Sequence, residues 1–342
     1  MIMNDNNSSK TENILIKMIR KTFIGMGVLP FLIILATIIF TILSDNFLTA
    51  RNLINVSRQT TYLIIVTMGQ MLALLTGGFD LSVGTILALS SVVGALAMSA
   101  MNAAFPDSVA LVIFVGLMAG LFAGLSVGVI NGIGVSVFNV NPFMMTLGMA
   151  SVGFGIALFL TGGVPVYGMP ESFSDIFGFG RFMGIPTPVL ITAGLIIIMY
   201  FLVNWTKIGR YFYAVGGNIK ASSLSGINTK YVLFLAYLFC SSLATISGLL
   251  LTARLETGEA NIGVSMPLES IAACVIGGVS LRGGVGRVES VVLGALFIGL
   301  IQNGMNLARI ESYLQTVVLG ILLIFAVAFD QFRQRLIAKS QD

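Results

Sequence analysis

Two carboxylates deserve the first look, because each lies in or beside a long apolar run. Asp80 sits in GGFDLSVG at 77–84, and Glu269 lies near the start of an apolar stretch. An ionised carboxylate in hydrocarbon is costly, so each must face protein or water. Asp80 has two readings. Asp80 or Ser82 could satisfy the first N–H groups of a helix starting at Val83, as short polar residues do at helix starts. Alternatively, Asp80 is a hydrogen-bond acceptor beside a polar solute path. Glu269 is either an exposed helix start or a second such acceptor. A set of amides, Gln70, Asn131, Asn141, Gln302, Asn303 and Asn306, recurs in or beside the apolar runs. Amides carry both donors and acceptors, which suits a neutral polyhydroxylated solute that needs many hydrogen bonds and no counter-charge. Each amide taken alone also reads as a contact holding helices together.

Other chemistries are excluded by what the chain lacks. It has no His, so no imidazole can bind a metal, act as a base or relay a proton. Its two cysteines, Cys240 and Cys274, lie in apolar runs and read as small buried hydrophobes, not as a disulfide. No Gly precedes any Lys, so the Gly-rich phosphate loop of P-loop ATPases is absent. We therefore expect no catalytic residues, no metal site and no cofactor held by this chain. Charged residues make up 9% of 342, against about 25% in soluble domains. The net charge of +4 gives no support to nucleic-acid binding.

These residues must be positioned by membrane helices. Ten apolar runs occur: Phe23–Leu43, Tyr62–Leu75, Val83–Phe105, Val109–Ile130, Phe143–Leu160, Pro188–Val203, Tyr231–Leu251, Leu268–Val279, Val291–Leu307 and Tyr313–Phe329. About 20 residues are needed to cross a hydrocarbon core, and backbone polar groups in lipid must be satisfied internally, so the runs should be helices. Tyr62–Leu75 and Leu268–Val279 are too short to cross alone; they must be extended by polar turns or be broken helices. An all-α polytopic protein of about ten spans follows. Ahead of the first run, residues 13–21 read as a basic amphipathic surface segment. With both termini inside, 13 of the 18 Lys and Arg fall on the cytoplasmic side and 5 outside, which is the favoured sense. This divides the chain into a cytoplasmic segment 1–21, a transmembrane domain 22–330 and a cytoplasmic tail 331–342.

The chain also repeats itself. GGFDLSVGTILALSSVVGAL at 77–96 matches GGVSLRGGVGRVESVVLGAL at 277–296 in nine of twenty positions, where chance gives roughly two. Each copy follows one of the two shortest apolar runs. Short, Gly-interrupted spans at corresponding places in two halves point to a transport site. Gly77, Gly78, Gly277 and Gly278 thereby join Asp80, Gln70, Asn131, Glu269 and Asn303 as candidates along a translocation path. The plainer reading of the glycines is that they make tight turns. Six intervening runs imply a parallel repeat, and one re-entrant segment would make it inverted.

The longest internal cytoplasmic loop, 205–230, reads WTKIGRYFYAVGGNIKASSLSGINTK. Asn218 is a candidate N-cap, IKASSLS gives about two helical turns, and Gly226 stops them. Gly217 and Gly226 are both expected at positive φ. A short helix on the membrane surface suits docking to a cytoplasmic partner; the alternative is a solvated basic loop that only fixes topology.

GGFDLSVG, RYFYAVGGNIKASSLSGI at 210–227 and ESIAACVIGGVSLRGGVGRV at 269–288 together resemble the permease of bacterial ATP-binding-cassette importers for simple sugars of the ribose, galactose and xylose type, which is distantly similar to branched-chain amino-acid permeases. Phe79, Cys274 and Arg282 depart from the residues common there. The resemblance implies inward passage of a monosaccharide in the bacterial inner membrane. It also implies ATP and Mg on a separate, tandem or paired ATPase, an extracytoplasmic sugar-binding protein and a second permease copy, homo- or heterodimeric, in lipid. The matching positions Gly217, Asn218, Ala221, Ser225 and Gly226 are then those of an ATPase-coupling loop. The rival readings are an ion-coupled carrier of a small polar solute, which would have to use Asp80 or Glu269, and a membrane scaffold that transports nothing.

Overall fold

The computed structural model describes residues 29–339. The N-terminal segment 1–21, with its expected surface helix, and residues 340–342 of the tail lie outside them. Residues 23–28 of the first apolar run also lie outside the described residues; the described part of each of the ten runs lies wholly or mostly in a helix: α1 (Leu29–Leu43), α2 (Ala50–Leu75), α3 (Val83–Ala104), α4 (Val109–Ser136), α5 (Pro142–Thr161), α7 (Thr187–Trp205), α10 (Thr229–Leu255), α11 (Met266–Ile276), α12 (Val288–Leu307) and α13 (Ser312–Lys339). The connection from α5 to α7 carries a single turn α6 (Glu171–Phe173), a π-turn (Ser174–Gly178) and a two-residue hairpin pairing β1 (Arg181–Phe182) with β2 (Ile185–Pro186). Between α7 and α10 lie two short helices, α8 (Lys207–Gly217) and α9 (Ile219–Leu224). Among the described residues, six helices, α3, α4, α5, α7, α10 and α12, are long and apolar enough to cross a membrane.

The two short runs resolve differently. Tyr62–Leu75 is the second half of a 26-residue helix, α2. Its first half is polar in sequence yet partly buried, because α2 is central and packs against α10, α12, α11 and α7. Thr49 starts it, its side chain accepting the Asn52 N–H. Leu268–Val279 stays short: α11 has 11 residues, about 16 Å. The rest of that crossing is irregular chain. Gly258 packs at the level of Ser91 and Ala95 of α3, and Gly263 at the level of Gly84 and Leu87, so residues 258–265 descend along α3 before α11 begins. At the start of this descent, backbone groups of Gly258 and Glu259 find partners inside the bundle. Gly258 exchanges both backbone hydrogen bonds with Val166 (2.8 and 2.9 Å), and the Glu259 N–H donates to Ser91 Oγ at 3.2 Å. Non-helical chain at membrane depth requires such partners. No break occurs at the 330/331 boundary; α13 continues to Lys339.

The α4 sequence carries a glycine every fourth residue: Gly116, Gly120, Gly124, Gly128 and Gly132. Each four-residue step turns the stripe by about 40°, so it winds around α4. Its first members face α3, where a Cβ on Gly120 would lie 2.7 Å from the Ser90 carbonyl oxygen; its later members face Thr245, Ser241 and Phe234 of α10. The stripe thus packs α4 against two helices in turn, the close approach that small residues permit in membranes. Gly128→Leu, which would meet Ser241 Oγ, is expected to cost about 1–3 kcal/mol by overpacking. Gly148 of α5 faces open space, so Gly148→Leu is the control. Thermal unfolding of the detergent-solubilised protein should show a lower midpoint for the first variant only; equal midpoints would refute this account of the packing.

Candidate functional site

Between the end of α2 and the start of α3, the chain turns through residues 76–82 and buries Asp80 completely. Gln70 of α2 holds the turn. With its amide oriented by the hydrogen-bond network, its nitrogen donates to the Asp80 carbonyl oxygen and its oxygen accepts from the Asp80 N–H, each at 3.1 Å. The Asp80 carboxylate makes a local turn: Oδ1 accepts from the Ser82 N–H at 2.8 Å and from the Ser82 hydroxyl at 2.5 Å. Asn131 of α4 donates from Nδ2 to Ser82 Oγ at 2.8 Å. Cys240 Sγ of α10 lies 4.0 Å from the Gln70 amide. The structure therefore brings Gln70, Asp80 and Asn131 together. Ser82 caps nothing with its side chain, and Asp80 orders the turn before α3 through Ser82 alone.

The network is incomplete. Asp80 Oδ2, Asn131 Oδ1 and Tyr237 Oη are buried without a hydrogen-bond partner. Tyr237 of α10 belongs to the same region, since a Cβ on Gly78 would collide with its hydroxyl. Buried polar atoms are nearly always paired; the other buried side-chain atoms without a partner among the described residues, Arg58 Nε and Tyr62 Oη, lie further back along α2. Tyr237 is the member that the sequence reading did not select; Ser82 was read there only as a possible helix cap and Cys240 only as a buried hydrophobe. Tyr237 and Cys240 lie three residues apart on α10, whose facing residues only tertiary packing identifies.

The other candidates lie elsewhere. Asn303 of α12 forms a reciprocal pair with Asn52 in the first turn of α2, at 2.9 and 3.1 Å. Asn52 is 18 residues from Gln70, about 27 Å along the helix, so Asn303 belongs to the opposite end of the bundle. Glu269 is buried in the first turn of the half-helix α11, where the helix dipole favours a negative charge.

The repeated glycines end helices. Gly77, at φ +82°, follows α2; its N–H bonds the Leu74 carbonyl and that of Gly78 the Ala73 carbonyl. Gly278, at φ +83°, does the same after α11, with Gly278 to Val275 and Val279 to Cys274. Both are C-caps of the Schellman type. They are displaced by one residue relative to the ungapped sequence match, because Gly77 corresponds to Gly278 and not to Gly277. The Gly284 N–H donates to the Leu75 carbonyl at 2.9 Å, so both turns lie at one end of the bundle and the repeat is parallel.

At that end also lie α8 and α9. Asn218 Oδ1 accepts from the Ala221 N–H at 2.9 Å, and Gly226, at φ +83°, ends α9 with a third cap of the same type. Gly217, in contrast, is not at positive φ; it closes α8, an amphipathic helix that the loop reading left out. Ala221, Ser225 and Leu224 are exposed, Leu224 at 91%.

The comparisons with known proteins agree on one group. Residues 52–327 match the family described as branched-chain amino acid transport system, permease component. The ribose import permease protein RbsC of Escherichia coli is 38% identical over 307 residues, 89% of this chain and 92% of that one. The D-allose transport system permease protein AlsC of Escherichia coli is 36% identical over 313 residues, 92% of each chain. The L-arabinose transport system permease protein AraH of the same organism is 32% identical over 311 residues, 91% of each. No solved structure matches. The chain belongs to this permease family, and its polytopic helical bundle is the membrane subunit of a transport system, not an enzyme.

Proposed function

We propose that this chain passes a monosaccharide, a ribose-like pentose or a hexose, into the cytoplasm, driven by ATP bound to a separate subunit. The observation that carries the reading is the buried set of amides and hydroxyls around Asp80, with unpaired oxygens, in a chain whose relatives are named for ribose, allose and arabinose. Neutral hydrogen-bonding groups suit a solute without charge. Gln70, Asp80, Asn131 and Gly78 lie beside the path in this reading; Gly77, Gly277, Gly278, Glu269 and Asn303 shape its walls. Two permease copies, as a homo- or heterodimer, enclose the path in the bacterial inner membrane. A tandem or paired ATPase holds ATP and Mg and docks on α9 and its flanks at Gly217, Asn218, Ala221, Ser225 and Gly226. An extracytoplasmic sugar-binding protein delivers the substrate. ATP binding draws the ATPase domains together, α9 moves with them, and the two copies rock between outward- and inward-open states. An ion-coupled carrier is the second reading, and it would rest on Asp80, the most deeply buried carboxylate among the described residues.

Reconstitution into liposomes with the ATPase and the binding protein tests the reading. Uptake should need ATP inside the compartment that faces α9 and should be selective among sugars; uptake driven by an ion gradient without ATP would favour the carrier. Asp80→Ala separates a structural role from a transport role. Loss of the turn alone should cost about 1 kcal/mol of stability and leave uptake intact, whereas a residue beside the path should lose uptake with folding preserved.

Orientation is tested by single-cysteine labelling, for which Cys240 and Cys274 give little background because both are buried. With both termini cytoplasmic, Ser172→Cys should react in intact cells with an impermeant reagent and Ser223→Cys only after lysis. Labelling of Ser223→Cys from outside would reverse the topology.

The docking role of α9 is tested by Gly226→Val. A β-branched residue resists the positive φ found there, so the cap and the orientation of α9 should be lost. Binding-protein-stimulated ATP hydrolysis should fall; stimulation at the unaltered level would rule out the docking role.

A further inference from the structure

Three segments meet backbone to backbone where α2 ends: the C-terminus of α8, the loop 277–287 and the turn after Leu75. A Cβ on Gly216 would overlap the Leu75 carbonyl oxygen and approach the Gly284 nitrogen to 2.6 Å. A Cβ on Gly283 would lie 2.8 Å from the Gly216 carbonyl oxygen, 3.0 Å from the Gly77 nitrogen and 3.1 Å from the Leu75 carbonyl oxygen. Gly283 and Gly284 also adopt φ of +89° and +71°. Two hydrogen bonds tie the segments across this contact. The Gly284 N–H donates to the Leu75 carbonyl oxygen at 2.9 Å, and the Tyr213 hydroxyl of α8 donates to the Gly286 carbonyl oxygen at 2.8 Å. Burial, reinforced by the nearby Glu289 carboxylate, pushes the Tyr213 phenol above its ordinary value.

We propose that this contact of Gly216, Gly283, Gly284 and Leu75, with the Tyr213 hydrogen bond, is the rigid link that carries movement of α8 and α9 to the end of α2 and so to the Asp80 turn. Long side chains between two segments absorb displacement by changing rotamer. Backbone packed on backbone cannot, because interiors at this density are nearly incompressible. From Leu75 the route to the buried site is short: the same turn continues through Gly77 and Gly78 to Asp80, which Gln70 clamps to α2. Gly217 enters the contact through its backbone only: a Cβ on Gly284 would lie 3.0 Å from its nitrogen and Cα, whereas a Cβ on Gly217 itself meets nothing within 4 Å. The link lies outside the ATPase-docking positions and rests on the ATP-driven reading above.

The test uses the complete importer with its own ATPase and a spin label on Phe79→Cys, in the turn itself, so that the readout does not depend on the identity of the sugar. On ATP binding the label should report a change of environment in the otherwise unaltered complex and in Gly148→Ala, whose added methyl would face open space on α5. In Gly216→Ala the response should be lost, and sugar moved per ATP hydrolysed should fall by about tenfold, while ATP still binds. Tyr213→Phe removes one hydroxyl and keeps the ring, so it decides the matter if Gly216→Ala does not assemble; it should weaken the label response and the transport ratio in the same direction. A merely structural role would reduce the amount of assembled complex and leave both readings per complex unchanged. That result, or a full label response in Gly216→Ala, overturns the link. An unaltered complex that neither binds an ATPase nor responds to ATP overturns the functional reading instead.

Discussion

A backbone polar group at membrane depth must find its partner inside the protein, and the rest of this structure follows from that constraint. Long apolar helices meet it by themselves. The difficulty lies where helices stop. Three helix ends, after α2, α9 and α11, close with a glycine in the left-handed region, so that two N–H groups beyond the helix turn back to its last carbonyls. The irregular descent 258–265 borrows Ser91 and Val166. The turn at Asp80 borrows an entire side-chain amide, since Gln70 satisfies both backbone groups of Asp80 at once.

Where so many groups are satisfied, the exceptions carry meaning. Asp80 Oδ2, Asn131 Oδ1 and Tyr237 Oη are unpaired within one region, and they come from three different elements. Leaving such atoms unpaired costs about 1–3 kcal/mol each. The turn that holds Asp80 also follows directly on the glycine contact at the end of α2.

Much of this was legible in the residues. Apolar runs located ten helices, because burial in lipid imposes one requirement on every run. Asn218 and Gly226 announced the bounds of α9, because caps depend on local chemistry. The motifs at 77–84, 210–227 and 269–288 carried the family. The glycine stripe on α4 was equally present in the sequence, as a strict four-residue spacing, and needed only to be looked for. Other features were read incompletely. The polar first half of α2 looked unlike a span because hydropathy measures what lipid accepts, and α2 is surrounded by protein. Gly217 was expected at positive φ together with Gly226, yet it continues a helix.

The sequence by itself determined where the apolar helices lie and the bounds of α9, and it left the sense of the repeat open. These depend on local conformation, on residue type or on a chain-wide solvent requirement. Only the tertiary structure decided which polar residues share a site. It joined Gln70, Asp80 and Asn131, added Tyr237, and sent Asn303 to the far end to pair with Asn52. It also shifted the two glycine turns by one residue and set Gly216 against Leu75. Such contacts join segments tens to hundreds of residues apart, and their partners are fixed by how helices pack and rotate, a property that no spacing along the chain encodes.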